Sequence, residues 1–318
     1  MRILITGGAG FIGSHVADAF LAAGHDVGVL DDLSSGLTEN LDPRVRFWQM
    51  DIRESAVDRL LAEFRPELIS HHAAQMSVGV SVREPRRDAD INILGALNLL
   101  EAAVRHGVRR VVFASTGGAM YGDHALPPTP ESVHPEPVSP YGVAKLAVER
   151  YLHAFQAMHN LEAVALRYAN VYGPRQNPHG EAGVVAIFCR ALVADQPFTI
   201  NGDGAQTRDY TYVGDVVQAV LHAAALPATA PLPILNIGTG VETSVTDLVT
   251  HLQALAGRPL RFHHGPAKPG EQRRSALDAT RARQVLGWQP TVDVRAGLAR
   301  TLAWFRENGG SPTRLSSR

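Results

Sequence analysis

The stretch MRILITGGAGFIG, residues 1–13, decides the fold of this chain. Residues 3–5 predict a strand, and a helical pattern begins at Phe11. The glycines between the two patterns are Gly7, Gly8, Gly10 and Gly13. A turn this tight requires residues without a Cβ atom, and the N–H groups at the start of a helix bind phosphate. The stretch therefore predicts a site for the pyrophosphate of a dinucleotide after the first strand.

The second predicted strand ends in Asp31 and Asp32, about 20 residues beyond the glycines, as the dinucleotide fingerprint requires. Asp31 is placed to accept hydrogen bonds from an adenosine ribose, and its charge would repel a 2′-phosphate. The pattern therefore favours NAD over NADP as the cofactor. Asp51, after the third predicted strand, is a candidate partner for the adenine amino group, although a lone acid here also fits a helix cap.

Strand and helix patterns alternate over the first half of the chain. Helical patterns at residues 11–23, 56–64 and 91–106 separate short runs rich in β-forming residues. The strand candidates are residues 3–5, 26–30, 45–50, 68–70, 111–114 and 163–166. Parallel strands need crossover helices of this kind, so the alternation predicts an α/β fold with a doubly wound, Rossmann-type parallel sheet.

The pattern changes after about residue 170, where glycine- and proline-rich stretches separate shorter periodic segments. We predict an NAD-binding domain over residues 1–170, and the chain is predicted to return to this domain at about residues 212–237. Residues 171–211 and 238–308 are predicted to form a smaller, loop-rich substrate domain that ends in a helix near residues 294–307. Residues 309–318 have no apolar periodicity and are expected to be a disordered tail.

The composition excludes several classes of function. The chain of 318 residues has 30 basic and 31 acidic side chains, so we expect neither nucleic acid nor a membrane as a partner. No apolar run approaches the ~20 residues that span a bilayer. The single cysteine, Cys189, excludes an intramolecular disulfide, lies on the apparent buried face of a helix, and fits a cytoplasmic protein. The histidine pairs at 71–72 and 263–264 do not predict a metal site, because neighbouring side chains on a strand point to opposite faces.

A candidate reacting centre lies between the fifth strand and the next helix. The strand ends in the hydroxyls of Ser115 and Thr116, at the edge where open α/β sheets bind ligands. The stretch SPYGVAKLAVER, residues 139–150, predicts a helix with Tyr141 and Lys145 on one face. A free tyrosine has a pKa of about 10, and a nearby ammonium and an oxidised nicotinamide both favour the phenolate. Tyr141 is therefore a candidate base for a sugar or alcohol hydroxyl, and Lys145 a candidate to tune it and hold the nicotinamide ribose.

Together these motifs resemble the extended short-chain dehydrogenase/reductases, and within them the NAD-dependent nucleotide-sugar epimerases of the UDP-glucose (UDP-galactose) 4-epimerase type. The resemblance covers residues 1 to about 308 and rests on the glycine turn, the strand-end hydroxyls and Tyr141-x-x-x-Lys145. It continues in HHAAQMSV (71–78), LRYANVYGPR (166–175), GDGAQTRDYTYVGD (202–215), NIGTG (236–240) and KPGEQRRSALD (268–278).

The resemblance implies NAD-dependent 4-epimerisation of a UDP-hexose. Tyr141 is expected to take the proton of the 4-hydroxyl while the C4 hydride passes to NAD, and the 4-keto sugar turns before the hydride returns. Thr116, with Ser115 as the alternative, is expected to hydrogen-bond the 4-oxygen. The expected cofactor contacts are Gly7, Gly10, Phe11, Ile12, Gly13, Asp31, Asp32, Asp51, Ile52, Ala73, Ala74, Gln75, Asn92, Tyr141, Lys145 and Tyr168.

Rotation of the sugar requires the protein to hold the diphosphate of the substrate. Arg208 matches a family position with this role, although an ion pair with its neighbour Asp209 is the alternative. Lys268 stands where relatives carry arginine and lacks the bidentate fork. Ser275 aligns with a position beside the sugar, where a small residue predicts that N-acetylated UDP-hexoses are also accepted. The expected substrate contacts are Ser77, Thr116, Asn170, Arg208, Lys268, Glu271 and Ser275.

The sequence also bears on alternative activities and on the oligomeric state. A 4,6-dehydratase needs an acid directly after the strand-end threonine, where this chain has Gly117 and Gly118. A UDP-glucuronate 4-epimerase would need a cation at the sugar carboxylate, which the sequence does not place. An NAD-sensing protein without turnover is disfavoured because Tyr141 and Lys145 are both present. Apolar residues on several faces of helices 91–106 and 141–159 predict a homodimer, since relatives pair these helices as a four-helix bundle.

Overall fold

The computed structural model describes residues 1–122, 124–179, 183–228, 231–267 and 272–308. The strands are β1 (Arg2–Thr6), β2 (Asp26–Asp31), β3 (Arg46–Gln49), β4 (Leu68–His71), β5 (Arg110–Thr116), β6 (Glu162–Tyr168), β7 (Asn170–Tyr172), β8 (Phe198–Asn201), β9 (Thr207–Arg208), β10 (Tyr210–Tyr212), β11 (Ile234–Ile237), β12 (Thr243–Ser244) and β13 (Phe262–Gly265). The helices are α1 (Phe11–Ala22), α2 (Ala56–Phe64), α3 (Val78–Arg83), α4 (Pro85–Ala89), α5 (Gly95–Arg105), α6 (Pro140–His159), α7 (Val184–Val193), α8 (Val213–Ala225), α9 (Val245–Ala256), α10 (Thr280–Leu286) and α11 (Val294–Glu307).

One parallel sheet organises the molecule, with the strand order β11-β6-β5-β4-β1-β2-β3. Apolar residues fill both of its faces; Ile3, Leu4 and Ile5 of β1 are fully buried, as expected for a sheet covered by helices on two sides. The order reverses between β1 and β4, which creates a crevice at the carboxyl ends of these two strands. The prediction of a doubly wound α/β fold is confirmed.

The helix predicted over residues 91–106 differs from the observed one. Regular α5 begins at Gly95, and a π-helical turn, Asp90–Leu94, precedes it. The extra residue in a π turn rotates the side chains relative to a regular helix, and Asn92 is buried in this turn. Two short helices, α3 and α4, were not predicted; Pro85 at the start of α4 separates them and breaks the periodicity that identifies a longer helix.

The second half of the chain adds three two-stranded ladders, β7 with β10, β8 with β13 and β9 with β12. Helices α7, α9 and α11 enclose a separate apolar cluster that includes Phe188, Leu248 and Phe305. Cys189 is fully buried in this cluster, as its setting in the sequence predicted. The domain boundaries remain a prediction, and the tail predicted over residues 309–318 lies outside the described residues.

Within the described parts of the chain, none of the helices has both the length and the apolarity required to cross a membrane. The same residues contain no group of three or more histidine, cysteine or acidic side chains that could hold a metal ion.

Candidate active site

The glycine turn after β1 forms a closely packed cradle at the crevice between β1 and β4. Gly7 has a φ of +68°, and a Cβ atom there would lie 2.6 Å from the backbone nitrogen of Ala73. A Cβ atom on Gly13 would lie 2.2 Å from the carbonyl oxygen of Gly7. Helix α1 begins after Gly10 without a side-chain cap, so its first N–H groups are available to an anion. Phe11 and Ile12, predicted cofactor contacts, form the first turn of this helix.

The acidic end of β2 lies beside the cradle. Asp31 is 6 % exposed, and its carboxylate accepts hydrogen bonds from the backbone N–H groups of Ala9 (3.0 Å) and Leu33 (2.8 Å). Burial raises the pKa of Asp31, and these two backbone hydrogen bonds lower it. Asp32 is exposed and accepts hydrogen bonds from the backbone and hydroxyl of Ser34. The glycines and Asp31 thus fit the pyrophosphate and the ribose of a dinucleotide.

The third strand and the loop after β4 carry the other predicted cofactor contacts. Asp51 binds Arg53, with a shortest distance of 2.6 Å between their side chains, while Ile52 is buried. Ala73 and Ala74 follow the carboxyl end of β4. Gln75 and Asn92 form two reciprocal bonds: the backbone N–H of Gln75 donates to Asn92 Oδ1, and Asn92 Nδ2 donates to the carbonyl of Gln75, both at 2.9 Å.

Local contacts fix the start of α6, which carries Tyr141. Ser139 caps the helix by accepting a hydrogen bond from the N–H of Gly142, and Pro140 occupies the first turn, where no N–H is needed. A Cβ atom on Gly142 would lie 2.3 Å from the carbonyl oxygen of Ala119, so the helix packs directly on the loop after β5. Tyr141 is therefore held close to the carboxyl end of β5.

Lys145 joins α6 to β5. Its Nζ donates to the carbonyl oxygen of Ala114 at 2.9 Å and lies 5.8 Å from the centre of the Tyr141 ring. Burial lowers the pKa of Lys145 to about 8, against the charges of Asp88 and Glu149, which raise it. The pair predicted from the i, i+4 spacing is thus a spatial pair in the structure.

In the protein without cofactor, burial has a larger effect on the pKa of Tyr141 than the lysine neighbour does. In the protein alone, burial and then the charge of Asp88 raise the pKa of Tyr141 to about 12. The sequence could not reveal the extent of this burial. The phenol is therefore neutral before any ligand binds, and a further positive charge in the site is required to make it a base.

The two strand-end hydroxyls have different environments. The Ser115 hydroxyl donates to Glu149 Oε1 at 2.6 Å in the protein interior. The Thr116 hydroxyl oxygen accepts a 3.3 Å hydrogen bond from the N–H of Ala119, in the loop beneath the start of α6. Because Ser115 already donates its proton to a buried carboxylate, the arrangement favours Thr116 for contact with a substrate.

Gly117 and Gly118 bring the second half of the chain against the reacting centre. A Cβ atom on Gly117 would lie 2.3 Å from a methyl group of Leu277, and one on Gly118 would lie 3.5 Å from Oδ1 of Asn170. Asn170 and the segment that contains Ser275 therefore lie next to the loop after Thr116.

The remaining predicted substrate contacts lie on several elements. Ser77 caps α3 by accepting a hydrogen bond from the N–H of Val80. Arg208 is partly buried and donates to the carbonyl oxygen of Thr207 at 2.8 Å. Its neighbour Asp209 accepts hydrogen bonds from the backbone N–H groups of Thr239, Gly240 and Leu277. These bonds connect the segment between β9 and β10 to the segments around residues 239–240 and 277. Lys268 and Glu271 lie outside the described residues.

Several buried polar residues at the site were not predicted from the sequence. Glu149 and Arg167 form a bidentate ion pair in the interior, and Arg167 also donates to the hydroxyl of Tyr121 at 2.8 Å. Asp88 accepts hydrogen bonds from the side chains of Gln75 and Asn92.

Tyr168, a predicted cofactor contact at the end of β6, is 6 % exposed, and its hydroxyl has no partner among the described residues. The spacing of four residues on α6 could have indicated that Glu149 lies on the same helix face as Lys145.

The sheet order, the glycine cradle and the Tyr141–Lys145 pair define a Rossmann-fold enzyme of the extended short-chain dehydrogenase/reductase class. Residues 3–238 match the model of the NAD dependent epimerase/dehydratase family. The chain belongs to this family.

Similar proteins cover nearly the whole chain. A UDP-glucose 4-epimerase of Mycolicibacterium smegmatis is 49 % identical over 96 % of this chain and 99 % of its own length. A Thermotoga maritima UDP-glucose 4-epimerase, crystallised with UDP-glucose, is 47 % identical, with a TM-score of 0.93 over 96 % of this chain and 99 % of that one. A Thermus thermophilus UDP-glucose 4-epimerase, crystallised with NAD, is 44 % identical, with a TM-score of 0.90 and the same coverage of both chains.

Proposed function

We propose that the protein catalyses the NAD-dependent 4-epimerisation of a UDP-hexose, with UDP-glucose and UDP-galactose as the basic substrate pair. The observation that carries the proposal is the placement of Tyr141 and Lys145 beside the Thr116 end of β5, at the crevice that holds the glycine cradle. The identity to UDP-glucose 4-epimerases over nearly the full chain supports the same reaction.

Each side chain has a defined task in this reaction. NAD, when bound, supplies a hydride acceptor, a hydride donor for the return step and a positive charge. Tyr141 takes the proton of the sugar 4-hydroxyl and returns it to the 4-oxygen after the sugar has turned. Thr116 hydrogen-bonds the 4-oxygen, and Lys145, fixed on the carbonyl of Ala114, supplies the ammonium that favours the phenolate and binds the nicotinamide ribose.

The diphosphate of the substrate is held while the sugar turns. Asn170 lies beside Gly118, and Arg208 extends from the short strand β9. An arginine suits this task because its planar fork donates to two phosphate oxygens at once. Lys268 and Ser77 are proposed as further contacts.

Dehydration is disfavoured by packing as well as by sequence. A side chain at position 117 would overlap Leu277, whose methyl group lies 2.3 Å from the place of a Cβ atom. An acid for dehydration therefore has no room at this position unless Leu277 moves.

A panel of UDP-sugars tests the reaction. Incubation with UDP-glucose should yield UDP-galactose, and Tyr141→Phe should lower kcat by about 100-fold or more, because general-base catalysis contributes about 10²–10⁴. Tyr151, exposed on the same helix, provides the matched control, and Tyr151→Phe should retain wild-type turnover. Full activity of Tyr141→Phe would exclude Tyr141 as the base.

N-acetylated UDP-hexoses are proposed as additional substrates because of the small side chain at Ser275. Arg274, the neighbour that could fill the space, donates from Nε and Nη2 to the carboxylate of Glu242, with a shortest distance of 2.7 Å. UDP-N-acetylglucosamine should therefore be epimerised, and Ser275→Tyr should abolish this turnover while UDP-glucose is still converted. Equal turnover of the acetylated sugar by Ser275→Tyr would contradict this assignment.

A homodimer and a cytoplasmic location are also proposed. Exposed apolar side chains on the π turn and α6 support the dimer: Leu94 is 57 % exposed, Val143 50 % and Met158 64 %. Light scattering should give twice the 34.2 kDa mass of the chain, and Leu94→Glu should shift it towards the monomer. A monomeric mass of the unmodified protein at micromolar concentration would exclude the dimer. The single, fully buried cysteine supports the cytoplasmic location.

A further inference from the structure

Asp88 is a buried carboxylate that the reaction described above does not use. It lies on α4, which packs against the Tyr141 helix α6, and it is 1 % exposed. Its Oδ1 accepts hydrogen bonds from Gln75 Nε2 at 2.8 Å and from Asn92 Nδ2 at 3.0 Å. Its Oδ2 is buried and has no hydrogen-bond partner within the described residues. Burial raises the pKa of Asp88, whereas the hydrogen bonds from these two neutral amides and the charge of Lys145 lower it.

The other titratable groups around Lys145 contribute little net charge. His71 and His72, at the end of β4, are neutral because burial, followed by the charge of Lys145, lowers the pKa of each to about 3. Glu149, on the Lys145 helix, is paired with Arg167 of β6 at 2.6 Å.

The exposed charges near α4 form their own pairs. Glu84 binds Arg87 at 3.1 Å, and Asp90 binds Arg53. The remaining basic residue of α4, Arg86, is exposed to solvent, which screens its charge. Asp88 lines one groove with Ser139, Pro140 and Ala144 at the start of α6, and it forms no salt bridge within the described parts of the chain.

We propose that Asp88 is a positioning residue that acts through Lys145, as the counter-ion that keeps the lysine charged at working pH. The effect on the pH profile of activity rests on the proposed function, whereas the effect on the pKa of Lys145 does not. Burial alone disfavours the ammonium, and a fixed negative charge nearby favours it. The same charge disfavours the phenolate of Tyr141, so Asp88 also keeps this residue protonated until a ligand supplies positive charge.

The direction of the pH effect follows from these signs. The charge of Asp88 raises the pKa values of both Lys145 and Tyr141. In Asp88→Asn both pKa values should fall. In the NAD-bound enzyme, where the positive nicotinamide favours the Tyr141 phenolate, activity rises with pH as Tyr141 loses its proton and declines as Lys145 loses its charge, so both limbs of the kcat/KM profile should move to lower pH. A shift of about one pH unit is expected for the loss of one nearby charge.

The two lysines of the chain, Lys145 and Lys268, allow a direct measurement. Protein labelled with ¹³C-lysine should give two side-chain signals by NMR, and the Lys145 signal is the one absent in Lys145→Arg. In the wild type this signal should titrate near pH 8, and in Asp88→Asn about one unit lower. Asparagine retains an acceptor for both amides, so the variant removes charge with little change of shape.

Controls separate charge from structure. Asp88→Glu should retain the wild-type titration of Lys145, and Glu84→Gln, which removes an exposed carboxylate four residues away, should change neither profile. Should Asp88→Asn fail to fold, Asp88→Ser removes the same charge with less bulk and gives the same two readouts. A Lys145 pKa that does not fall in a folded charge-removing variant would overturn the proposal. Activity that is lowered equally at all pH values, with both limbs of the kcat/KM profile at their wild-type pH, would also overturn the proposal. A shifted Lys145 titration in a protein without epimerase activity would refute the proposed reaction and support the counter-ion.

Discussion

The buried ion pair between Glu149 and Arg167 should contribute strongly to stability, because it ties the helix that carries Tyr141 to two strands of the sheet. Glu149 is 1 % exposed, and its carboxylate also accepts a hydrogen bond from the hydroxyl of Ser115. Replacement of Glu149 by leucine leaves the guanidinium of Arg167 buried without its counter-charge. Such a change costs about 3–5 kcal/mol of unfolding free energy.

The expected change in Tm is the loss of unfolding free energy divided by the unfolding entropy, which is proportional to the number of residues. An unfolding entropy of ~2.1 cal/mol/K per residue gives ~0.7 kcal/mol/K for this chain, so Glu149→Leu should lower Tm by about 4–8 °C. The triple variant Glu149→Leu/Arg167→Met/Ser115→Ala removes these three polar side chains together, and the Tyr121 hydroxyl, which also binds Arg167, keeps its hydrogen bond to Asn236 Oδ1. It should recover at least half of the loss, because a well-packed apolar group can replace a buried ion pair at little cost.

Thermal unfolding followed by circular dichroism measures both effects. Glu101→Leu is the matched control, because Glu101 forms an exposed i, i+4 pair with Arg105 at 3.7 Å. This control should shift Tm by less than about 1.5 °C, since exposed pairs contribute about 0–1 kcal/mol. The reasoning is refuted if Glu149→Leu lowers Tm by no more than the control, or if the triple variant is less stable than Glu149→Leu alone.

Three further predictions follow from the site and the core. Thr116→Val should lower kcat by about 100-fold, as loss of a hydrogen bond to a reacting oxygen does, whereas Ser115→Ala should mainly lower Tm; equal kinetic losses would contradict the assignment of Thr116. Gly13→Ala should purify without NAD, measured by absorbance of the released cofactor, because its Cβ atom would overlap the carbonyl of Gly7. Gly24 has a φ of +80°, so Gly24→Ala should lose about 1 kcal/mol of stability, but its Cβ atom meets nothing within 4 Å and the variant should retain the cofactor; NAD in both variants would show that the cradle is not required. Burial raises the pKa of Cys189 to about 12, so a thiol reagent at pH 8 should modify it only after unfolding; rapid reaction of the native protein would contradict its burial.

Local patterns explain why the family and the central fold were predictable from the sequence. The strand, glycine turn and helix of residues 1–22 are adjacent along the chain, and their periodicities specify each element without knowledge of the rest. The predicted helix at 56–64 matches α2, and the predicted last helix matches α11. The prediction of the family from these motifs is confirmed by the match over residues 3–238.

Features that depend on spatial neighbours were not predictable in the same way. Glu149 and Arg167 lie on a helix and a strand, so nothing in their spacing indicates that they pair. The raised pKa of Tyr141 in the protein alone was not predictable, because the sequence shows its lysine neighbour but not its burial or the charge of Asp88. The π turn before Gly95 was missed because it spans only five residues, Asp90–Leu94, which are too few to show a change in the period of the apolar residues.

The position of β11 has a consequence for synthesis on the ribosome. The strand pairs with β6 at the edge of the sheet, yet 65 residues separate the end of β6 at Tyr168 from the start of β11 at Ile234. At ~5–20 residues per second, β6 waits about 3–13 s in the nascent chain with one edge unpaired. An unpaired apolar edge strand readily pairs with other chains, so this interval is when the newly made protein is most exposed to aggregation. Translation pauses between these two strands should therefore lower the yield of soluble protein more than pauses placed after residue 237.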